Sequence, residues 1–109
     1  MKYCFDLDNT LCTTIDGNYK ESQPKELAIK KVNDLFNNGH TIIIFTARYM
    51  GRMDGNISKV YEGIYALTKK QLSDWRVNYH ELILGKPEFD VLIDDKSFNY
   101  SDSWIEEIK

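Results

Sequence analysis

The chain has 109 residues, 42% hydrophobic and 28% charged, with a net charge of −3 at pH 7. That length fits one domain over 1–109, with a single core and little left for a second lobe, and the composition excludes a disordered chain. No basic excess points to a nucleic acid or an anionic membrane, and no run of ~20 apolar residues could span one.

In chain order, KYCFDL at 2–7 reads as a short buried strand. Residues 13–24 are polar and rich in turn formers, which predicts a loop. Pro24 suits the first turn of a helix, where its missing N–H costs nothing. Leu27, Ala28, Val32, Leu35 and Phe36 then recur at helical spacing. Gly39 ends this helix, free to take the left-handed conformation. TIIIFT at 41–46 is β-branched and almost continuously apolar, the pattern of a strand covered on both faces. A second loop, 47–56, carries two glycines. Ile57, Val60, Tyr61, Ile64 and Leu67 return to helical spacing, weakened by Gly63. Thr68-Lys69-Lys70-Gln71 reads as a capping box opening a separate helix that runs to Val77. ELILG at 81–85 is a third strand, which Pro87 stops, and DVLID at 90–94 a fourth. Trp104, Ile105 and Ile108 mark a short helix at the end.

The two cysteines, Cys4 and Cys12, are read as free thiols in a reducing compartment, since a bridge between them would distort the strand end. The N-terminus runs straight into Asp6, unlike a secretory signal. A cytoplasmic protein is therefore expected.

Strands alternating with helices predict right-handed βαβ crossovers and a parallel sheet with helices on both faces. In such sheets, ligands bind beyond the carboxyl ends of the strands. Asp6 and Asp8 end or follow the first strand, Thr46 ends the second, Lys86 follows the third, and Asp94 and Asp95 end the fourth. Singly, each has an ordinary explanation: turn aspartates, a capping threonine, a solvated lysine before proline. Together they bring carboxylates, a hydroxyl and an ammonium to one rim.

In that order the residues form four motifs: DLDNT at 6–10, IIIFT at 42–46, LGKP at 84–87 and LIDD at 92–95. They resemble the motifs of the haloacid-dehalogenase-like (HAD) phosphohydrolase superfamily, over nearly the whole chain. FDLDNTL, FTAR, GKP and IDD resemble more closely the small capsule-polysaccharide-biosynthesis phosphatases. The resemblance implies a compact, Rossmann-like HAD-type α/β fold with minimal or no cap. It also implies a phosphatase that hydrolyses a small phosphorylated metabolite through an aspartyl-phosphate. A sugar phosphate or a small amino-alcohol phosphate in capsule or surface polysaccharide synthesis would fit.

On that resemblance Asp6 would be the nucleophile, and Asp8 the acid and then base for the leaving oxygen and the water. Mg²⁺ would be held by Asp6, the backbone carbonyl of Asp8, and Asp94, with Asp95 either beside them or one step behind. Thr46 and the N–H groups near Leu7 and Ala47 would hold phosphoryl oxygens, and Lys86 would neutralise charge. Asp8 favours phosphate over halide chemistry, because a departing halide needs no proton.

Substrate choice is expected from the loops 12–22 and 47–56. Arg48 and Arg52 suit an anionic group, and Tyr49 or Tyr19 a stacking contact, although each also fits a solvated or packed role. His40 and His80 fall at the opposite strand ends and read as structural. An open site in a short chain, with an apolar tail at Trp104 and Ile105, predicts a homodimer or homotetramer. Two rivals are a receiver-like phospho-switch domain and a catalytically inert HAD-like binding protein. A receiver places its acidic pair first and its acceptor aspartate after the third strand, an order this chain lacks.

Overall fold

The structure is a computed structural model that describes residues 1–108. Its core is a three-stranded parallel sheet of β1 (Lys2–Phe5), β4 (Thr41–Thr46) and β5 (Glu81–Leu84), in the order β1-β4-β5. A small antiparallel pair, β2 (Cys12–Thr13) and β3 (Gln23–Pro24), closes the loop after β1. Helix α1 (Glu26–Asn37) links β3 to β4, α2 (Ile57–Asp74) links β4 to β5, and α3 (Trp104–Glu107) lies near the end. Among the described residues no helix is long and apolar enough to cross a membrane.

The register explains the core. Tyr3 pairs with Ile42 and Phe5 with Ile44, while Ile44 pairs with Leu82 and Thr46 with Leu84. Side chains alternate along a strand, so these residues share one face. Ala28, Ile29, Val32 and Leu35 of α1, Leu72 of α2 and Trp104 of α3 pack into the same cluster as Phe5, Ile42 and Ile44. Val60 and Ile64 of α2 pack on Leu84. Burying side chains of this size contributes roughly 1.5–3 kcal/mol each.

All three helices thus cover one sheet face. The second face, with Cys4, Ile43, Phe45 and Ile83, stays half-buried to exposed, which corrects the expectation of helices on both sides. Two right-handed crossovers made in the same direction along a sheet, β1 to β4 to β5, put both helices on one side.

Three further elements differ from their sequence prediction. Pro24 ends β3, and α1 begins at Glu26. The two helices expected over 57–77 are one; Thr68 caps no helix start and instead donates its hydroxyl to the Ile64 carbonyl at 2.9 Å within it, and the start is capped by Asn56, which accepts the Lys59 N–H. Gly63 in its middle has a packing reason: a Cβ there would lie 3.0 Å from the Tyr49 ring. Residues 90–94 form no strand; Ile93 is 94% exposed, and β1 keeps an unpaired edge. Trp104, expected as a docking surface, is buried against Phe5 in this chain's own core, with ring centroids 5.8 Å apart.

Candidate active site

The carboxyl ends of β1, β4 and β5 form one rim, and the chain turns sharply after each strand. After β1, the Leu7 carbonyl accepts from the N–H groups of Thr10, Leu11 and Cys12, while Asn9 takes φ +63° and donates its N–H to the Cys12 carbonyl at 2.6 Å. This knot buries Leu7 completely and leaves the half-buried carboxylates of Asp6 and Asp8 flanking it. After β4, the buried Thr46 accepts the Arg48 N–H on its hydroxyl at 3.2 Å. The hydroxyl's own proton is not used by that bond. After β5, the Lys86 N–H donates to the Thr46 carbonyl, and the Lys86 ammonium reaches Asp6 Oδ1 at 3.4 Å. Asp6 Oδ2 accepts from Thr10 at 3.2 Å.

A cleft of about 330 Å³ opens on this rim, lined by Asp6, Asp8, Thr46, Ala47 and Arg48, with Asp16, Tyr19 and Glu88 among the residues at its sides. Its acidic groups outnumber its bases, which suits a divalent cation or a cationic substrate group.

Asp8 differs from Asp6 in its surroundings. The guanidinium of Arg48 grips it in a fork: Nη2 to Oδ1 at 2.9 Å, and Nε to Oδ2 at 3.0 Å and Oδ1 at 3.2 Å. Thr14 donates to Oδ1 at 2.6 Å. On its far side Arg48 donates from Nη1 to Gln71 Oε1 at 2.7 Å and Thr68 Oγ1 at 3.1 Å, both on α2. Its third face lies 4.8 Å from the centre of the Tyr19 ring.

Arg48 is thus 1% exposed, with its donors spent inside the protein, which corrects its expected role of gripping substrate. Arg52 differs: it is exposed, makes no hydrogen bond or ion pair among the described residues, and lies 4.3 Å from the centre of the Tyr49 ring and 6.0 Å from that of Tyr19. Tyr49 takes φ +66° and packs on Gly63, so it supports Arg52 rather than entering the cleft lining. The loops 12–22 and 47–56 meet there, with Arg52 Nη2 3.9 Å from where a Gly17 Cβ would stand.

Burial shifts two neighbours. The Cys12 thiol is pushed above its ordinary value, chiefly by desolvation, and stays protonated; both cysteines are free. Tyr19 is raised for the same first reason, with the Asp8 charge adding to it.

Sequence reasoning missed Thr14, Ser22, Thr68 and Gln71, all in the network around Arg48. A signal existed: Thr68 and Gln71 fall on the apolar side of α2 beside Ile64 and Leu72, where a polar pair at this spacing needs a buried partner. Asp94 and Asp95 do not line the cleft; Asp94 caps an exposed turn through Lys96 N–H at 2.9 Å. Among the described residues no group of three or more His, Cys, Asp or Glu converges at metal-binding spacing. His40 and His80 are structural: His40 Nδ1 meets the N-terminal amine at 3.0 Å, and His80 Nδ1 accepts the Ile42 N–H at 3.0 Å.

Comparison with known proteins finds no matching family model and no matching curated protein. A crystal structure of an MCSG target from Vibrio cholerae is similar, with a TM-score of 0.84 and 26% identity over 97% of this chain and 94% of that one. The α/β fold is therefore shared along nearly the whole length of both chains.

Proposed function

We propose that this chain is a Mg²⁺-dependent phosphatase of the HAD type, hydrolysing a small phosphorylated metabolite through an aspartyl-phosphate on Asp6. The observation that carries it is the meeting, across 80 positions of sequence, of Asp6 and Lys86 at 3.4 Å, beside Thr46 at the end of the intervening strand. A carboxylate that can attack phosphorus, an ammonium that can neutralise its charge and a hydroxyl that can hold a phosphoryl oxygen together suit phosphoryl transfer.

In this reading Asp6 attacks phosphorus and the bond to the leaving oxygen breaks, its electron pair going to that oxygen. Asp8 supplies the proton, then takes one from the water that hydrolyses the aspartyl-phosphate. Lys86, Thr46 and the N–H groups of Leu7 and Ala47 hold the phosphoryl oxygens.

The donors present suit Mg²⁺, which takes hard oxygen ligands from one or two carboxylates and completes its shell with phosphate and water. Asp6 and the Asp8 carbonyl would hold it. When bound it would supply positive charge at the phosphoryl oxygens. Asp94 caps an exposed turn outside the cleft and would join them only if 90–94 added to the unpaired edge of β1.

Asp16 and Glu88 at the sides of the cleft suit hydroxyls or an ammonium, and Arg52, beside Gly17 of the lining, suits a second anion, as a sugar phosphate or an amino-alcohol phosphate would offer. The half-exposed second sheet face favours a homodimer or homotetramer, and light scattering showing a monomer at high concentration would remove that part. The activity test is phosphate release from a panel of phosphorylated metabolites with Mg²⁺ and with chelator. Turnover is expected with Mg²⁺ alone; turnover indifferent to chelator, or kept in Asp6→Asn, overturns the reading.

A further inference from the structure

Resting on the phosphatase reading, we propose that Arg52 is a specificity-determining residue that binds a carboxylate of the substrate, so that the preferred substrate is a phosphorylated hydroxy acid. Lys86 and Arg48 are committed on the rim, Lys86 to Asp6 at 3.4 Å and Arg48 to Asp8 at 2.9 Å. Arg52 is exposed and has no hydrogen-bond or ion-pair partner among the described residues.

Arg52 is nevertheless held in place. Its guanidinium centre lies 4.3 Å from the centre of the Tyr49 ring and 6.0 Å from that of Tyr19, and the two rings pack on each other at 5.7 Å. Each ring is fixed from behind. Tyr49 lies on Gly63 of α2, where an added Cβ would stand 3.0 Å from the ring. Tyr19 lies against Arg48 at 4.8 Å, and its carbonyl accepts from Gln71 Nε2 at 2.6 Å. The backbone that carries Arg52 is tied as well: the Met53 N–H donates to the Tyr49 carbonyl at 2.9 Å, and the Gly55 N–H to the Met50 carbonyl at 2.8 Å. A guanidinium over aromatic rings is attracted to their faces, and its N–H donors stay available to an acceptor. Ordering it on binding then costs less than ordering a free side chain.

The position borders the cleft. Arg52 Nη2 lies 3.9 Å from where a Gly17 Cβ would stand, and Gly17 and Tyr19 both line the cleft. The charges around it select the anion. Asp16 and Glu88 line the same cleft, and a Glu88 carboxylate oxygen lies 2.8 Å from where a Cβ of Gly51, the residue before Arg52, would stand. A second phosphate would bring close to two negative charges against these acids, whereas a carboxylate brings one and matches the arginine fork. Hydroxyls between the phosphate and the carboxylate would donate to Asp16 and Glu88.

Two matched pairs of compounds test this: 3-phosphoglycerate with glycerol 3-phosphate, and 6-phosphogluconate with sorbitol 6-phosphate. Within a pair only a terminal carboxylate is exchanged for a hydroxymethyl, so the phosphate and its leaving oxygen stay the same. Wild type should favour the acid of at least one pair about three- to fivefold in KM, the scale of one exposed ion pair, and Arg52→Ala should bring that pair within about 1.5-fold. Arg52→Glu should reverse the preference. Tyr49→Leu keeps Arg52 but removes a ring beneath it, and should lower the preference to about twofold. Calorimetry with Asp6→Asn in Mg²⁺, where the phosphatase reading allows no turnover, should give the same preferences as dissociation constants. A preference in binding that Arg52→Ala abolishes, with no turnover by the wild type, would remove the phosphatase reading and keep Arg52 as a carboxylate site. Turnover of both members of each pair with no preference for either acid would overturn the Arg52 site and keep the phosphatase. A preference that survives Arg52→Ala, or equal losses on acid and neutral member, as a merely structural arginine would give, also overturns it.

Discussion

Residues 2–8 and residues 90–95 have the same plan: a short apolar run that delivers two aspartates. In the first, KYCF becomes β1, paired with β4 along four residues and roofed by α1 and α3, and the carboxylates are delivered to a rim. In the second, the run stays irregular, with Val91, Leu92 and Ile93 exposed, and Asp94 caps a turn. The difference lies in partners, because an extended run of four or five residues has no stability of its own. β1 finds a backbone ladder on one side and a hydrophobic face above. The 90–94 run has neither, although the free edge of β1 offers a ladder and the uncovered sheet face offers apolar area.

The largest expected effect sharpens this contrast. Asp6→Asn should cut turnover by about a thousandfold or more, the scale of losing a catalytic nucleophile, with little change in melting temperature. A steady-state assay beside a thermal melt reads both. Next is the anchor of the first pair. Arg48→Ala leaves Asp8 without its buried partner and should cost about 3–5 kcal/mol in urea unfolding, as removal of one member of a buried ion pair does.

Asp94→Asn tests whether the second pair joins the first. It should raise the Mg²⁺ concentration for half-maximal activity by about tenfold, the scale of a lost ligand contact. A wild-type Mg²⁺ profile would keep the two pairs apart. Chymotrypsin should cut within 89–100, after exposed Phe89, Phe98 or Tyr100, before anywhere in residues 1–84. Mg²⁺ with phosphate should slow that cut if 90–94 adds to β1; an unchanged rate would break that step. The smallest effect belongs to Arg52→Ala. It should raise KM about three- to fivefold for a substrate with a second anionic group, the worth of an exposed ion pair, and leave a simple alkyl phosphate unchanged.

Much was legible in the order of residues. Strand β4 has the bounds its β-branched run predicted, and Gly39 takes the left-handed φ of +91° that ends α1. Asp6, Asp8, Thr46 and Lys86 reach one rim because parallel strands joined by crossovers must present their carboxyl ends together. The two arginines of the second loop could not be told apart. Both are flexible cations near glycines, and only packing makes one a core residue and the other a surface one.

The parallel α/β plan and the line of chemical groups along one edge could be read from the order of residues, since periodicity and spacing are local properties written along the chain. The tertiary structure alone decided three things: that both crossover helices share one face, that 90–94 lacks a strand partner here, and that Arg48 belongs to Asp8. Each depends on contacts between residues far apart in sequence, where the partner, and not the residue, sets what a side chain or strand becomes.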